Sequence, residues 1–118
     1  MSGASFSTKA DVDPNITAAA IRTRAADYLG GADPRDPMVS PLFADLRGLP
    51  PMLVQAGSHE VLLDDATRLA VRAASDDVAV VLDVTPGVPH VFQAFAGILG
   101  EGDAALNRAA AFVADHLA

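Results

Sequence analysis

A glutamate and a histidine occupy matching places in this chain of 118 residues. Glu60 lies within Gly57-Ser58-His59-Glu60-Val61-Leu62-Leu63-Asp64-Asp65, and His90 within Gly87-Val88-Pro89-His90-Val91-Phe92. Each stretch directly follows an apolar run that reads as a strand, and a helix-period segment lies between the runs. If the strands are parallel, both side chains leave the same edge of one sheet. Parallel neighbours are about 4.8 Å apart, so loops from adjacent ends can bring side chains into hydrogen-bond range. A carboxylate accepting from one imidazole nitrogen fixes the tautomer and stabilises the imidazolium formed when the other nitrogen takes a proton. That is the acid–base half of a catalytic triad. Pro86 and Pro89 restrict the approach to His90.

Each residue also has a plainer reading. A histidine after a Gly-x-Pro turn is, taken alone, more often a solvated loop residue. Glu60 could cap the following helix or favour its positive end. Asp64 and Asp65 suit the first turn of that helix, His59 a loop, and His116 the last turn of the final helix. A metal set of His59, Glu60, Asp64 and His90 has no recognised ligand spacing. Neither a phosphate-binding G-x-x-x-x-G-K-[ST] nor a G-x-G-x-x-G occurs.

Segments able to position the pair can be read in order. Residues 1–16 are polar, end in Asp13-Pro14-Asn15, and read as a flexible loop or tail. Thr17 can cap a helix with Ala20, Ile21, Arg24, Ala25, Tyr28 and Leu29 on one face, stopped by Gly30-Gly31. Prolines 34, 37, 41, 50 and 51 mark residues 30–51 as an extended linker without regular structure. Met52 to Gly57 reads as a strand buried on both faces. Leu62, Leu63, Ala66, Leu69, Ala70 and Ala73 repeat at helical spacing, Asp76-Asp77 turns the chain, and Val78–Val84 reads as a second strand. Val91–Leu99 reads as a short helix. Asp103 is the expected cap of a last helix whose inner face is Leu106, Ala110, Val113 and Leu117. Strand, helix, strand implies parallel pairing with a right-handed crossover and the α/β class. Residues 17–118 form one partial α/β domain.

Composition narrows the function classes. A net charge of −7 argues against nucleic acid and anionic membrane surfaces. There is no cysteine, hence no disulfide, thiolate metal site or cysteine nucleophile. No apolar run approaches the ~20 residues of a membrane span, and the N-terminus lacks the apolar stretch of a signal peptide, which makes the cytoplasm the default expectation. Lys9 is the only lysine among the basic residues, a bias typical of GC-rich bacterial coding.

At the acid and histidine stretches the chain resembles the C-terminal third of an α/β hydrolase of the hormone-sensitive-lipase-like carboxylesterase and lipase branch. The family's acid segment, G-x-x-[DE]-x-L-x-D-[DE], is matched by Gly57 to Asp65 with Glu60 in the acid's place. Its histidine segment, G-x-x-H-x-F, is matched by Gly87 to Phe92 with His90. Tyr28 to Pro37, Ser40 to Leu46 and Leu49-Pro50-Pro51 are similar to the same branch, so the resemblance runs from about residue 10 onward. It implies a sheet of about eight strands, of which two are here, a carboxylic-ester substrate of short to medium acyl chain, and no cofactor. It assigns His90 as general base then acid, with Glu60 orienting it.

The family's nucleophile belongs to a G-x-S-x-G elbow and its oxyanion hole to an H-G-G-G-type segment. Neither occurs in these 118 residues. Ser5 has Gly3 two residues before it but Ser7 two residues beyond, and Ser40 and Ser58 have no glycine two residues to either side. Family order places the serine before the acid, so the chain looks like a fragment, a truncated reading frame or a gene remnant, inactive alone. Two parallel strands cannot cover their own faces and edges, so an isolated chain is expected to be marginal and to self-associate or pair through its exposed sheet edges. A non-catalytic interaction module, or half of a split enzyme completed by a separate chain, is the rival expectation.

Overall fold

The computed structural model describes residues 3–117; residues 1, 2 and 118, at the outer ends of the two expected segments, lie outside it. Its elements are α1 (Ser5–Thr8), α2 (Ala18–Leu29), a 3₁₀ turn at Pro41–Phe43, β1 (Met52–Gly57), α3 (Leu63–Ser75), β2 (Val80–Thr85), a 3₁₀ turn at Phe92–Phe95, and α4 (Gly100–His116). β1 and β2 pair in parallel, with Met52 opposite Val80 and Gly57 opposite Thr85. The two strands therefore end level, and the loops that follow leave from the same rim. This is the α/β arrangement expected, two parallel strands with flanking helices.

The crossover helix α3 has a strong apolar stripe. Ala70 and Ala73 are buried, and Asp64 and Asp65 occupy its first turn, where their charge suits the positive end of the helix. Ala73 forms one core with Leu46 and Val78, against which Ala44, Met52, Leu69 and Val80 pack. A second core joins Val88, Phe92 and Ala105, with Leu99 against it. It fastens the stretch after His90 onto α4, and burial of a side chain the size of Phe92 is worth about 2–3 kcal/mol.

Three expectations need correction. The N-terminal stretch is no loose tail: α1 buries Ser5 and Phe6, and the Ser5 hydroxyl donates to the Val61 carbonyl oxygen at 2.7 Å. Polar composition concealed this because Phe6 stands in a stretch without apolar periodicity, and the hydrogen bonds of Ser5 reach residues distant in sequence. The linker 30–51 has little regular structure, as expected, only the 3₁₀ turn at Pro41–Phe43, yet it is tied down. The Leu46 N–H donates to Asp76 Oδ2 at 2.8 Å, and Arg72 donates to the Ala44 carbonyl oxygen through Nε and a terminal nitrogen at 3.2 and 3.0 Å.

β2 starts at Val80, later than expected, because Val78 is packed in the first core; along the strand Val81, Leu82 and Val84 are exposed. Finally, the short helix expected over Val91–Leu99 is reduced to the 3₁₀ turn Phe92–Phe95. That turn gives way to α4, which begins before Asp103, and Asp103 accepts from the Gly97 N–H at 3.0 Å. The inner face of α4 carries Gly102 and Ala105, while Leu106, Val113 and Leu117 point outward. Small residues let the helix sit close on Phe92, whose carbonyl oxygen lies 3.1 Å from where a Cβ on Gly102 would stand. α2 follows its expected bounds, with the Thr17 hydroxyl accepting from the Ala20 N–H and Gly30 closing it at φ +54°.

Candidate active site

β1 ends at Gly57, and a tight turn carries the chain back so that Glu60 faces its own strand end. Glu60 is buried, with 4 % of its surface exposed. Its Oε2 accepts from the Gly57 N–H at 2.7 Å, and its Oε1 lies 3.1 Å from His90 Nδ1. The carboxylate thus has a partner on each oxygen, which is what burial of a charged group demands. The His90 side chain is 31 % exposed. With Nδ1 turned to Glu60, Nε2 is the ring nitrogen left to exchange a proton with a reacting group.

The loops bearing the pair are laced together. The Ser58 N–H donates to the Thr85 carbonyl oxygen at 2.9 Å and the His59 N–H to that of Val88 at 3.1 Å, while the Gly87 N–H donates to the Ser58 hydroxyl at 2.8 Å. The histidine loop crosses directly over Gly57. A Cβ at that position would collide with the Val88 carbonyl oxygen and lie 2.7 Å from that of Pro89. Gly57 is therefore required by proximity, beyond its part in ending a strand.

Val91, directly after His90, sits at φ +55°. A β-branched residue in the left-handed region is strained by about 1–3 kcal/mol. The residue is 52 % exposed, so it gives little burial in return. Val91→Gly is expected to raise the unfolding free energy by about 1 kcal/mol, the relieved strain exceeding the entropy glycine adds to the unfolded chain. Urea unfolding checks this, and a lower midpoint would mean that the valine side chain stabilises the loop.

The other sequence candidates go elsewhere. Asp64 Oδ2 accepts from the Ser5 N–H at 2.9 Å. His59 stays in its loop, and His116 Nδ1 is 2.7 Å from the Phe112 carbonyl oxygen, its ring against that of Phe112. Among the described residues, no three His, Asp or Glu side chains converge as metal ligands. The Ser5 hydroxyl is spent on backbone, donating to Val61 and accepting from the Asp64 N–H. Sequence reasoning missed Asp13 and Asn15, which reach both loops: the Val61 N–H donates to Asp13 Oδ2 at 2.9 Å and Asn15 Nδ2 to the His90 carbonyl oxygen at 3.1 Å. The signal available was Asp13-Pro14-Asn15 itself, a turn-forming triplet. Gln93 was also missed; it donates to Gln55 Oε1 at 3.2 Å, and Gln55 donates to Asp83 and to the Ala105 carbonyl oxygen, each at 2.9 Å. This polar seam ties the turn after His90 to β1, β2 and α4.

Among the described residues no helix is long and apolar enough to cross a membrane. Residues 2–94 match the alpha/beta hydrolase fold family. An acetyl-hydrolase of Streptomyces hygroscopicus is 40% identical over 111 residues, 94% of this chain and 37% of that protein. An esterase of Acinetobacter venetianus is 48% identical over 79 residues, 67% of this chain and 26% of that one. A solved esterase from the bacterial hormone-sensitive lipase family superposes with a TM-score of 0.96 at 46% identity, covering 99% of this chain and 39% of its own. This chain therefore spans little more than a third of the length of such relatives. With most of its residues matched to the family and a backbone nearly coincident with that esterase, the chain belongs to the α/β-hydrolase fold family, as the C-terminal third of a hormone-sensitive-lipase-like member.

Proposed function

We propose that this chain is the acid–base portion of a serine carboxylic-ester hydrolase. His90 is the general base that takes the serine proton and then the acid that returns it to the leaving alcohol. Glu60 holds the imidazole in the tautomer that leaves Nε2 free. The observation that carries this reading is the Glu60 Oε1 to His90 Nδ1 contact at 3.1 Å, on a carboxylate whose other oxygen is pinned by the Gly57 N–H. The names of the acetyl-hydrolase and esterase relatives support an ester substrate, and a short to medium acyl chain is our expectation. The serine and oxyanion donors must come from outside these 118 residues, since without them no acyl-enzyme forms.

Two measurements test this. The purified chain is expected to give no fluorophosphonate-sensitive turnover of p-nitrophenyl butyrate. Grafted in place of the matching 39% of the solved esterase, it is expected to restore that turnover. Val81, Leu82 and Val84, all exposed along β2, favour a second reading, a non-catalytic module that pairs through its sheet edge. A folded but inactive graft would support that module and sink the hydrolase reading.

A further inference from the structure

We infer that the turn Asp13–Asn15 is a brace that holds His90 against Glu60, with Asn15 a positioning residue for the imidazole. The inference rests on the reading of Glu60 and His90 as an acid–base pair. Its physical basis is a ring of hydrogen bonds that closes on itself. Asp13 is buried, and its Oδ1 accepts from the N–H groups of Asn15 and Ile16, both at 2.9 Å. This shapes the turn, and Pro14 fixes φ in the middle of it. The other oxygen of Asp13 takes the Val61 N–H at 2.9 Å, so the turn is anchored to the peptide next to Glu60. From that anchored turn Asn15 Nδ2 reaches the His90 carbonyl oxygen at 3.1 Å. The contact between His90 Nδ1 and Glu60 Oε1 completes the ring.

The geometry says why a brace is needed there. The His90 carbonyl belongs to the peptide that leads into Val91, which is strained at φ +55°. Release of that peptide would let Val91 relax and loosen the backbone that holds the imidazole against Glu60. A donor on the carbonyl opposes that release. Asn15 is itself exposed, so its amide could be hydrated instead, and the benefit of the bond lies in what it holds in place.

The test uses this chain, labelled with ¹⁵N, and the downfield imidazole Nδ1–H proton of His90, assigned by its loss in His90→Gln. In Asn15→Ala, exchange of that proton with water is expected to rise about fivefold, the worth of one modest hydrogen bond, with the remaining amide spectrum unchanged. Asn15→Asp keeps the size but removes the donor, so it should match the alanine variant. A residue that merely fills space would leave Asn15→Asp at the parent rate, and that result overturns the brace. In the grafted esterase, Asn15→Ala should lower kcat about fivefold at unchanged KM. A parent chain without the proton, or one whose proton is indifferent to Glu60→Gln, overturns the acid–base pair and the brace together. A proton that responds to Glu60→Gln but not to the Asn15 variants overturns the brace alone.

Discussion

Glu60→Gln in the grafted esterase should lower kcat by about 10³–10⁴-fold, and His90→Ala by on the order of 10⁴-fold or more, with KM little changed. The glutamine change is the more informative because it keeps the side-chain shape. Glu60 accepts from two donors, the Gly57 N–H on Oε2 and His90 through Nδ1 on Oε1. A glutamine has one oxygen and one NH₂ group to offer. If its oxygen stays on Gly57, the NH₂ faces Nδ1, which must then act as acceptor. The ring proton moves to Nε2, and the imidazole loses the lone pair it needs to take the serine proton. If the amide turns the other way, its NH₂ confronts the Gly57 N–H inside a buried pocket and the turn is destabilised. Either outcome removes an interaction made in the transition state, so the loss belongs in kcat. Steady-state kinetics with p-nitrophenyl butyrate read it directly. A Glu60→Gln graft within about tenfold of its parent, less than the loss general acid–base catalysis of this kind carries, would show that the carboxylate does not govern the tautomer.

The strands and their direction were legible because they rest on local signals. Met52 to Gly57 is a short apolar run stopped by glycine, α3 has a clear stripe, and a helix between two strands leaves parallel pairing as the simple solution. The meeting of Glu60 and His90 followed from that topology, since parallel strands that end level place their exit loops side by side. What sequence did not disclose depends on contacts between distant residues or on close approach. Ser5, Asp13 and Asn15 lie in a polar stretch with no periodicity, yet their partners are Val61, Asp64 and His90. α4 was misread for the opposite reason. Its most hydrophobic residues, Leu106, Val113 and Leu117, suggested an inner face, but the packed face is Gly102 and Ala105. Hydrophobicity patterns weigh area, whereas a helix lying close to a backbone is selected by small size.

Gly57→Ala in the grafted enzyme is expected to cost about 3 kcal/mol or more of unfolding free energy, at the upper end of single substitutions. The reason is steric and cannot be relieved by a side-chain rotation. The atoms that meet the new Cβ are the backbone carbonyl oxygens of Val88 and Pro89, and one of them is already engaged by the His59 N–H. Making room means lifting the histidine loop off β1, breaking that bond and disturbing the second core, where Val88 packs with Phe92 and Ala105. Gly100→Ala is the matched control. It lies in the first turn of α4 with nothing within 4 Å of its Cβ position, so alanine there should stabilise by a few tenths to about 1 kcal/mol through helix propensity and a stiffer unfolded chain. Urea unfolding of both variants separates a general intolerance of substitution from the specific clash. A Gly57→Ala midpoint equal to the parent's would mean that the histidine loop does not cross where the structure puts it. The same displacement carries His90 away from Glu60, so kcat should fall along with stability. The residue that lets the two loops touch is then also the one that allows the carboxylate and the imidazole to meet.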